Sequence, residues 1–581
     1  MNRIRKYGSG LLMMVMMLFT VSSCDLTELD INKDPNNPAQ ASLGLLLTNV
    51  QLNASDRFAD ALNNAAMGFM AVNDSFDGFN MTNSSFNNTW NYLYNNPLKD
   101  LDGIIKATAQ QRADGAANPH YEGIAKVLKA YYFSLMVDLW GSVPYTDAFN
   151  GDAEEQNLAP AFEDGSSIYP KLITLLDEAV AHFDETSPVT VTGDVIYGGS
   201  AAKWAAAARS LKLRLLLQVS RQDASVIPTM QAMINAAEAT PATDGFITTG
   251  ANDFVFTFGN LNNPDDRHPM YKDGYAGGEA SYNYFGHQFM YEMLVPLTPG
   301  GTVPGDPRTP FYFKRQTKTL LDPNDPTDKQ TIPCSQRTDC TYGYFPLSNF
   351  VSNGVYNKPD ATTLTTSQKE YLAGFFGRDR SDPSGVPNDN PIRTTVGLYP
   401  AAGLYDDGPE TGGGNKGRGD GIFPMITTWM VKLYMIEANL ALGVTLPGDD
   451  AKTLYQKAME EQFAKVNSFV SKDPGAVAIS TAARDAYIAA QLTKYDNATN
   501  KLGAVLKQAW FMNFGNGFEL YNTFRRTGLP AGLQTPLQAP RQFALRLPYA
   551  QDEINLNPNT PTVAFDSPAN AVFWDVLKFQ F

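Results

Sequence analysis

The chain has 581 residues, 43% hydrophobic and 18% charged, with 46 Gly and 37 Pro, so it is neither of low complexity nor too polar to bury a large core. Lysine and arginine number 45 against 60 acids, a formal charge of -15, and a surface of that sign repels phosphate backbones. Nucleic acid is not an expected partner.

Arg3, Arg5 and Lys6 precede an apolar run from Leu11 to Val21, shorter than the ~20 residues a membrane-spanning helix needs, so residues 1–23 read as a signal peptide. The run ends in Val21-Ser22-Ser23-Cys24, which resembles the lipobox of bacterial lipoproteins, and makes Cys24 the expected lipidation site. More than one acyl chain gives stable anchoring, because each buried CH₂ contributes only about 0.8 kcal/mol. Cleavage before Cys24 removes three cations and no acid, taking the formal charge from -15 to -18. Residues 24–40 are polar and rich in Pro and Asn, as a lipidated tether would be.

From there the pattern is helical. Ile124, Val127, Leu128, Tyr131, Leu135 and Leu139 follow i, i+3, i+4, i+7 spacing and stop at Gly141 and Pro144, with Tyr145 as a buried turn aromatic. Trp204, Ala208, Leu211, Leu215 and Val219 repeat it, with Ser200 as N-cap and Arg209, Lys212 and Arg214 off the stripe. A third stripe, Trp429, Leu433, Ile436 and Leu440, closes on Gly443 as a C′ glycine. Amphipathic segments follow over 451–470 and 502–514. The expected fold is all-α, built of helical hairpins, with a scaffold over about 41–250 and 422–581. Loop-rich insertions occupy about 251–421, crowded with Pro, Gly, Asn and Asp, and loops of that length usually carry function.

The remaining cysteines, Cys334 and Cys340, are candidates for a local disulfide in an oxidising compartment. The four histidines are scattered, with no i,i+4 pair for zinc. Asp322, Asn324, Asp325 and Asp328 form a weak calcium candidate, because their spacing misses the EF-hand pattern and its glutamate. Otherwise no metal or cofactor is expected. Gly412, Gly414 and Gly417 spell G-x-G-x-x-G, but no apolar strand precedes them, which argues against a nucleotide site. Glu437, a carboxylate in an apolar helix, requires donors, and Arg525 and Arg526 are the candidates.

Several segments together resemble the SusD/RagB family of surface lipoproteins of Bacteroidetes. They are DLWGSVPYTDAF (138–149), FEDGSSIYPKLITLLDEA (162–179), DVIYGGSAAKWAAAARSLKLRL (194–215) and MITTWMVKLYMIEANLALG (425–443), joined by FRRTGLP (524–530), ALRLPYAQDEINLN (544–557) and VFWDV (572–576). The resemblance implies one SusD-like domain over 41–581, with tetratricopeptide-like helix pairs and no catalysis. It also implies a role as a nutrient-capturing lid on a SusC-type TonB-dependent transporter of the outer membrane, lipid-anchored and facing the cell exterior.

Aromatics concentrate in two loop-like regions, ten in the 38 residues 254–291 and six in the 19 residues 76–94. A flat ring beside amides or carboxylates suits a sugar, whose faces carry C–H groups and whose edge carries hydroxyls. The candidate ligand residues are Phe79, Asn87 and Trp90 in one region and Tyr282, Asn283 and Tyr284 in the other. The expected ligand is an oligosaccharide. Capture of oligopeptides on the same scaffold is the alternative, and a surface glycosidase a more distant one.

Overall fold

The computed structural model describes residues 42–74, 79–151, 157–276, 284–294, 305–315, 375, 377–378, 380–381, 394–406, 417–536 and 542–579. Cys24, Cys334, Cys340 and the calcium candidates Asp322, Asn324, Asp325 and Asp328 lie outside them, as do Tyr282 and Asn283.

The fold is all-α, as expected. Helix α1 (Leu43–Arg57) starts at Ser42, whose hydroxyl accepts from the Leu45 N–H at 3.3 Å, and runs through a π-turn (Phe58–Leu62) into α2 (Asn63–Phe69). Next come α3 (Asn87–Asn95), α4 (Pro97–Ala113), α5 (Pro119–Trp140), α6 (Gly165–Asp184), α7 (Ala201–Val219) and α8 (Ile227–Ala239). The C-terminal half supplies α9 (Thr428–Leu442), α10 (Ala451–Asn467), α11 (Thr481–Asn497), α12 (Lys501–Met512), α13 (Gly517–Thr527) and the short α14 (Gln551–Leu556). Sequence neighbours pack on one another from α4 through α8 and again from α9 through α12, which makes the hairpin series.

Helix α5 is the spine. Its predicted stripe is buried, and so are Phe133, Met136, Val137 and Trp140 off that stripe, because α4, α6 and α7 all pack on it. Gly141 ends it at φ +76°, donating its N–H to the Val137 carbonyl at 2.8 Å. Gly443 ends α9 in the left-handed region at φ +74°, as its sequence position predicts. Ser200 does precede α7, but its side chain makes no capping bond.

Among the described residues, four two-stranded antiparallel ribbons link these helices: β1 (Asn73–Asp74) with β5 (Tyr284–Phe285), β2 (Val143–Pro144) with β3 (Phe162–Glu163), β4 (Phe254–Thr257) with β8 (Ile422–Ile426), and β6 (Phe313–Lys314) with β7 (Thr395–Val396). The β4–β8 ribbon ties the start of the loop-rich region to its end.

A buried polar lock joins the two halves. Arg214, which lies off the apolar stripe of α7, is nevertheless 2% exposed. It donates through Nε to Glu519 and through Nη2 to Asp138 at 3.3 Å. Burial opposes its charge, but Glu519 and Asp138 outweigh that and hold its pKa above the ordinary value. Asp138 also accepts from the Tyr169 hydroxyl, from Asn522 Nδ2 at 2.7 Å and from Trp574 Nε1 at 2.9 Å, while Glu519 accepts from the Tyr434 hydroxyl at 2.8 Å. Arg526 takes Glu437, as one of the two candidates. Arg525 does not: it donates to the Leu545 and Asp138 carbonyls at 2.9 and 2.7 Å and stacks over Tyr521 and Trp574. The lock is therefore structural, with each buried charge paired or hydrogen-bonded.

Candidate functional site

An open cleft of about 250 Å³ lies where α3 and α14 meet the loop between β2 and β3. Ligand pockets that enclose a whole small molecule usually run to about 300–1,000 Å³. This one is sized to hold part of a longer ligand. Trp90 and Tyr94 on α3 form its aromatic floor, Asp552 and Glu553 on α14 its acidic side, and Leu158 and Leu556 its rim. The two leucines are 76% and 79% exposed, which leaves apolar surface facing solvent beside the aromatic floor.

The polar groups are fixed by reciprocal bonds between α3 and α14. Asn87 and Asn91, one turn apart, both donate to Asp552 Oδ2, at 2.8 and 2.6 Å, while the Asp552 N–H donates back to Asn87 Oδ1 at 2.8 Å. Those two amides hold the Asp552 carboxyl below its ordinary range, so it is ionised at neutral pH. Glu553 accepts from Trp90 Nε1 at 3.2 Å and from Asn557 Nδ2 at 2.8 Å. Tyr94 donates to the Pro144 carbonyl at 2.9 Å, and burial, with Glu553 nearby, pushes its phenol well above the usual value. It stays neutral. The arrangement offers hydrogen-bond acceptors, amides and ring surface.

The expected ligand residues fall unevenly. Trp90 reaches the cleft but is 1% exposed, packed on Tyr94, Trp140, Phe162 and Tyr549, so it is a floor and not a free platform. Asn87 acts through Asp552. Phe79, expected to offer a stacking face, is 3% exposed and packs on Phe69 in the core, with the Arg380 guanidinium 4.9 Å from its ring centre. The backbone of Tyr284 pairs with Asp74 in the β1–β5 ribbon. Asp552, Glu553 and Tyr94 were not singled out from sequence. The acids of α14 lie some 460 positions from α3, and no local pattern links them. No helix among the described residues is long and apolar enough to cross a membrane, and no group of three His, Cys, Asp or Glu there is placed to hold a metal.

Stacked helical hairpins carrying a small acceptor-rich surface cleft define the class as a helical-repeat scaffold. The chain belongs to the SusD-like family: the family model described as "Starch-binding associating with outer membrane" matches residues 35–371. Membership carries a nutrient-binding role and association with the outer membrane. Among solved structures, the chain is similar to a chitin-binding protein at 18% identity and a TM-score of 0.62, with 92% of this chain and 100% of that one covered. It is also similar to a SusD homologue from Bacteroides fragilis, at 16% identity and 0.62, covering 92% and 99%. A SusD/RagB family protein from Bacteroides thetaiotaomicron gives 18% and 0.62, covering 90% and 95%. At these identities the likeness is one of fold. No curated protein matches the sequence.

Proposed function

We propose that the protein is a non-catalytic lipoprotein that captures oligosaccharide at the cell exterior and passes it to a SusC-type TonB-dependent transporter of the outer membrane. Lipid on Cys24 would tether it, in keeping with the signal-like leader and lipobox. The observation that carries the ligand reading is the cleft, where an Asn-clamped carboxylate stands beside Trp90 and Tyr94. A sugar laid there meets the half-buried Tyr94 ring with its C–H groups and the acceptors with its hydroxyls, above the Trp90 floor. The partial enclosure suits one or two units of a polymer better than a small free metabolite.

The exposed pair Leu158 and Leu556 favours a second reading, in which the cleft takes an apolar side chain of an oligopeptide. Calorimetry of the mature chain with maltohexaose and with mixed oligopeptides separates the two. Ala148 lines the cleft, so Ala148→Trp fills it without touching the lock. Saccharide binding that this variant abolishes supports the reading. Binding that survives it removes the cleft from the account, and release of shortened saccharide during incubation removes the non-catalytic assignment.

A further inference from the structure

The charge of the cleft is one-sided. Two carboxylates line it, and among the described residues no lysine, arginine or histidine does. Lys106 and Lys171, which touch the β2–β3 loop, are already paired with Asp102, at 2.8 Å, and with Glu163. Asp552 is not neutralised by its partners, since Asn87 and Asn91 are uncharged amides and both occupy Oδ2. Its Oδ1 has no hydrogen-bond partner among the described residues and is not among the fully buried unpaired atoms. A carboxylate oxygen is thus held in place and left open.

We propose that Asp552 makes the cleft a charge filter, with Glu553 reinforcing it: amine-bearing saccharides are preferred over neutral ones, and anionic saccharides such as uronates are excluded. This rests on the reading of the cleft as the saccharide site. An ammonium group on a sugar ring meets Oδ1 as a charge-assisted hydrogen bond, stronger than a hydroxyl makes. A uronate in the same place sets like charges together with no cation to relieve them. Asp552 is a specificity-determining residue, and its clamp to α3 fixes where the charge stands.

The test is calorimetry of the mature chain with three probes of matched length: a glucosamine hexamer, maltohexaose and a galacturonate hexamer. The wild type should bind the glucosamine hexamer about tenfold more tightly than maltohexaose at low salt, with the margin shrinking as salt rises, and should not bind the galacturonate. Asp552→Asn keeps the side-chain shape and should bring the first two within about threefold of each other. An unchanged preference in Asp552→Asn overturns the proposal, as does galacturonate bound as tightly as maltohexaose, or a wild type that binds none of the three. Ala148→Trp separates the two levels. If it leaves saccharide binding intact, the cleft reading fails. If it abolishes binding while Asp552→Asn changes nothing, only the charge filter fails.

Discussion

Arg526 holds Glu437 through two parallel hydrogen bonds, Nε to Oε1 at 2.6 Å and Nη2 to Oε2 at 2.8 Å, with both side chains buried. The bidentate pair fixes α13 against α9, and Gln218 on α7 takes a third guanidinium proton. Removing one partner strands the other charge out of water. Glu437→Ala should therefore lower stability by about 3–5 kcal/mol, whereas Glu437→Met with Arg526→Met should cost far less. Urea denaturation of the three chains gives the comparison, and a double variant as unstable as the single one contradicts it.

The helices were legible in the sequence because burial repeats every three to four residues, and that period survives wherever one face of a helix is apolar. Arg214 shows where this logic stops. Its position off the apolar stripe points to solvent, yet its partners Asp138 and Glu519 lie 76 and 305 positions away, and only the packed fold brings them together. Helix α5 was legible as a helix but not as one buried on all sides. Strand β4 was missed for a different reason. Its four residues, Phe254–Thr257, do alternate in burial, but four residues are too few to stand out inside a loop-rich region, and the partner Ile422–Ile426 is far along the chain. The aromatic excess near Phe79 and Trp90 turns out to be largely packing, with Phe79 3% and Trp90 1% exposed. Sequence could not separate rings that pack from groups that line an open surface, and Asp552, which lines the cleft, is far along the chain from α3.

Glu122 on α5 lies between Lys126, at 2.9 Å, and Arg112, at 3.0 Å, with His182 at 3.1 Å. Burial raises its pKa, but hydrogen bonds from Lys126 and Arg112 and the charge of His182 outweigh it, so the carboxyl titrates below its ordinary 4.5. A depressed acid stabilises the fold above its unfolded pKa and loses that contribution as pH falls through the folded value. Glu122→Gln should cost roughly 1–3 kcal/mol at pH 7, and its deficit should close as pH drops below about 4.5. Thermal melts of both chains from pH 7 to 3 check this; a deficit constant with pH would show the charge to be irrelevant.

Gly193 sits at φ +77°, and a Cβ there would collide with the Gly44 carbonyl on α1, inside van der Waals contact, and reach Thr48 Oγ1 at 2.7 Å. Thr48 Oγ1 meanwhile donates to the Gly193 carbonyl at 2.8 Å, so the two backbones are stapled together. Gly193→Ala should destabilise the fold by more than about 1 kcal/mol, since strain and collision add. Gly198→Ala is the control: its φ of +60° is also positive, but nothing lies within 4 Å of the added carbon. The first substitution should lower the urea midpoint clearly more than the second.

Leu158 and Leu556 line the same cleft from different parts of the chain, and both are largely in water. Surface side chains free of packing change stability by about 0.5 kcal/mol or less when replaced, so Leu158→Ser with Leu556→Ser should leave the urea midpoint nearly unchanged. Its effect on binding then reports ligand chemistry. A saccharide there would draw its energy from the Tyr94 ring and from acceptors on Asp552 and Glu553, so its affinity should fall by no more than about threefold. An apolar peptide side chain has no other apolar wall of comparable exposure in the cleft, and each leucine removed takes away contact worth about 25 cal/mol per Å². Peptide binding lost in the double variant while saccharide binding is absent throughout would therefore transfer the site to the peptide reading. Saccharide binding that persists in the double variant and vanishes in Ala148→Trp would place the ligand on the rings and the carboxylates.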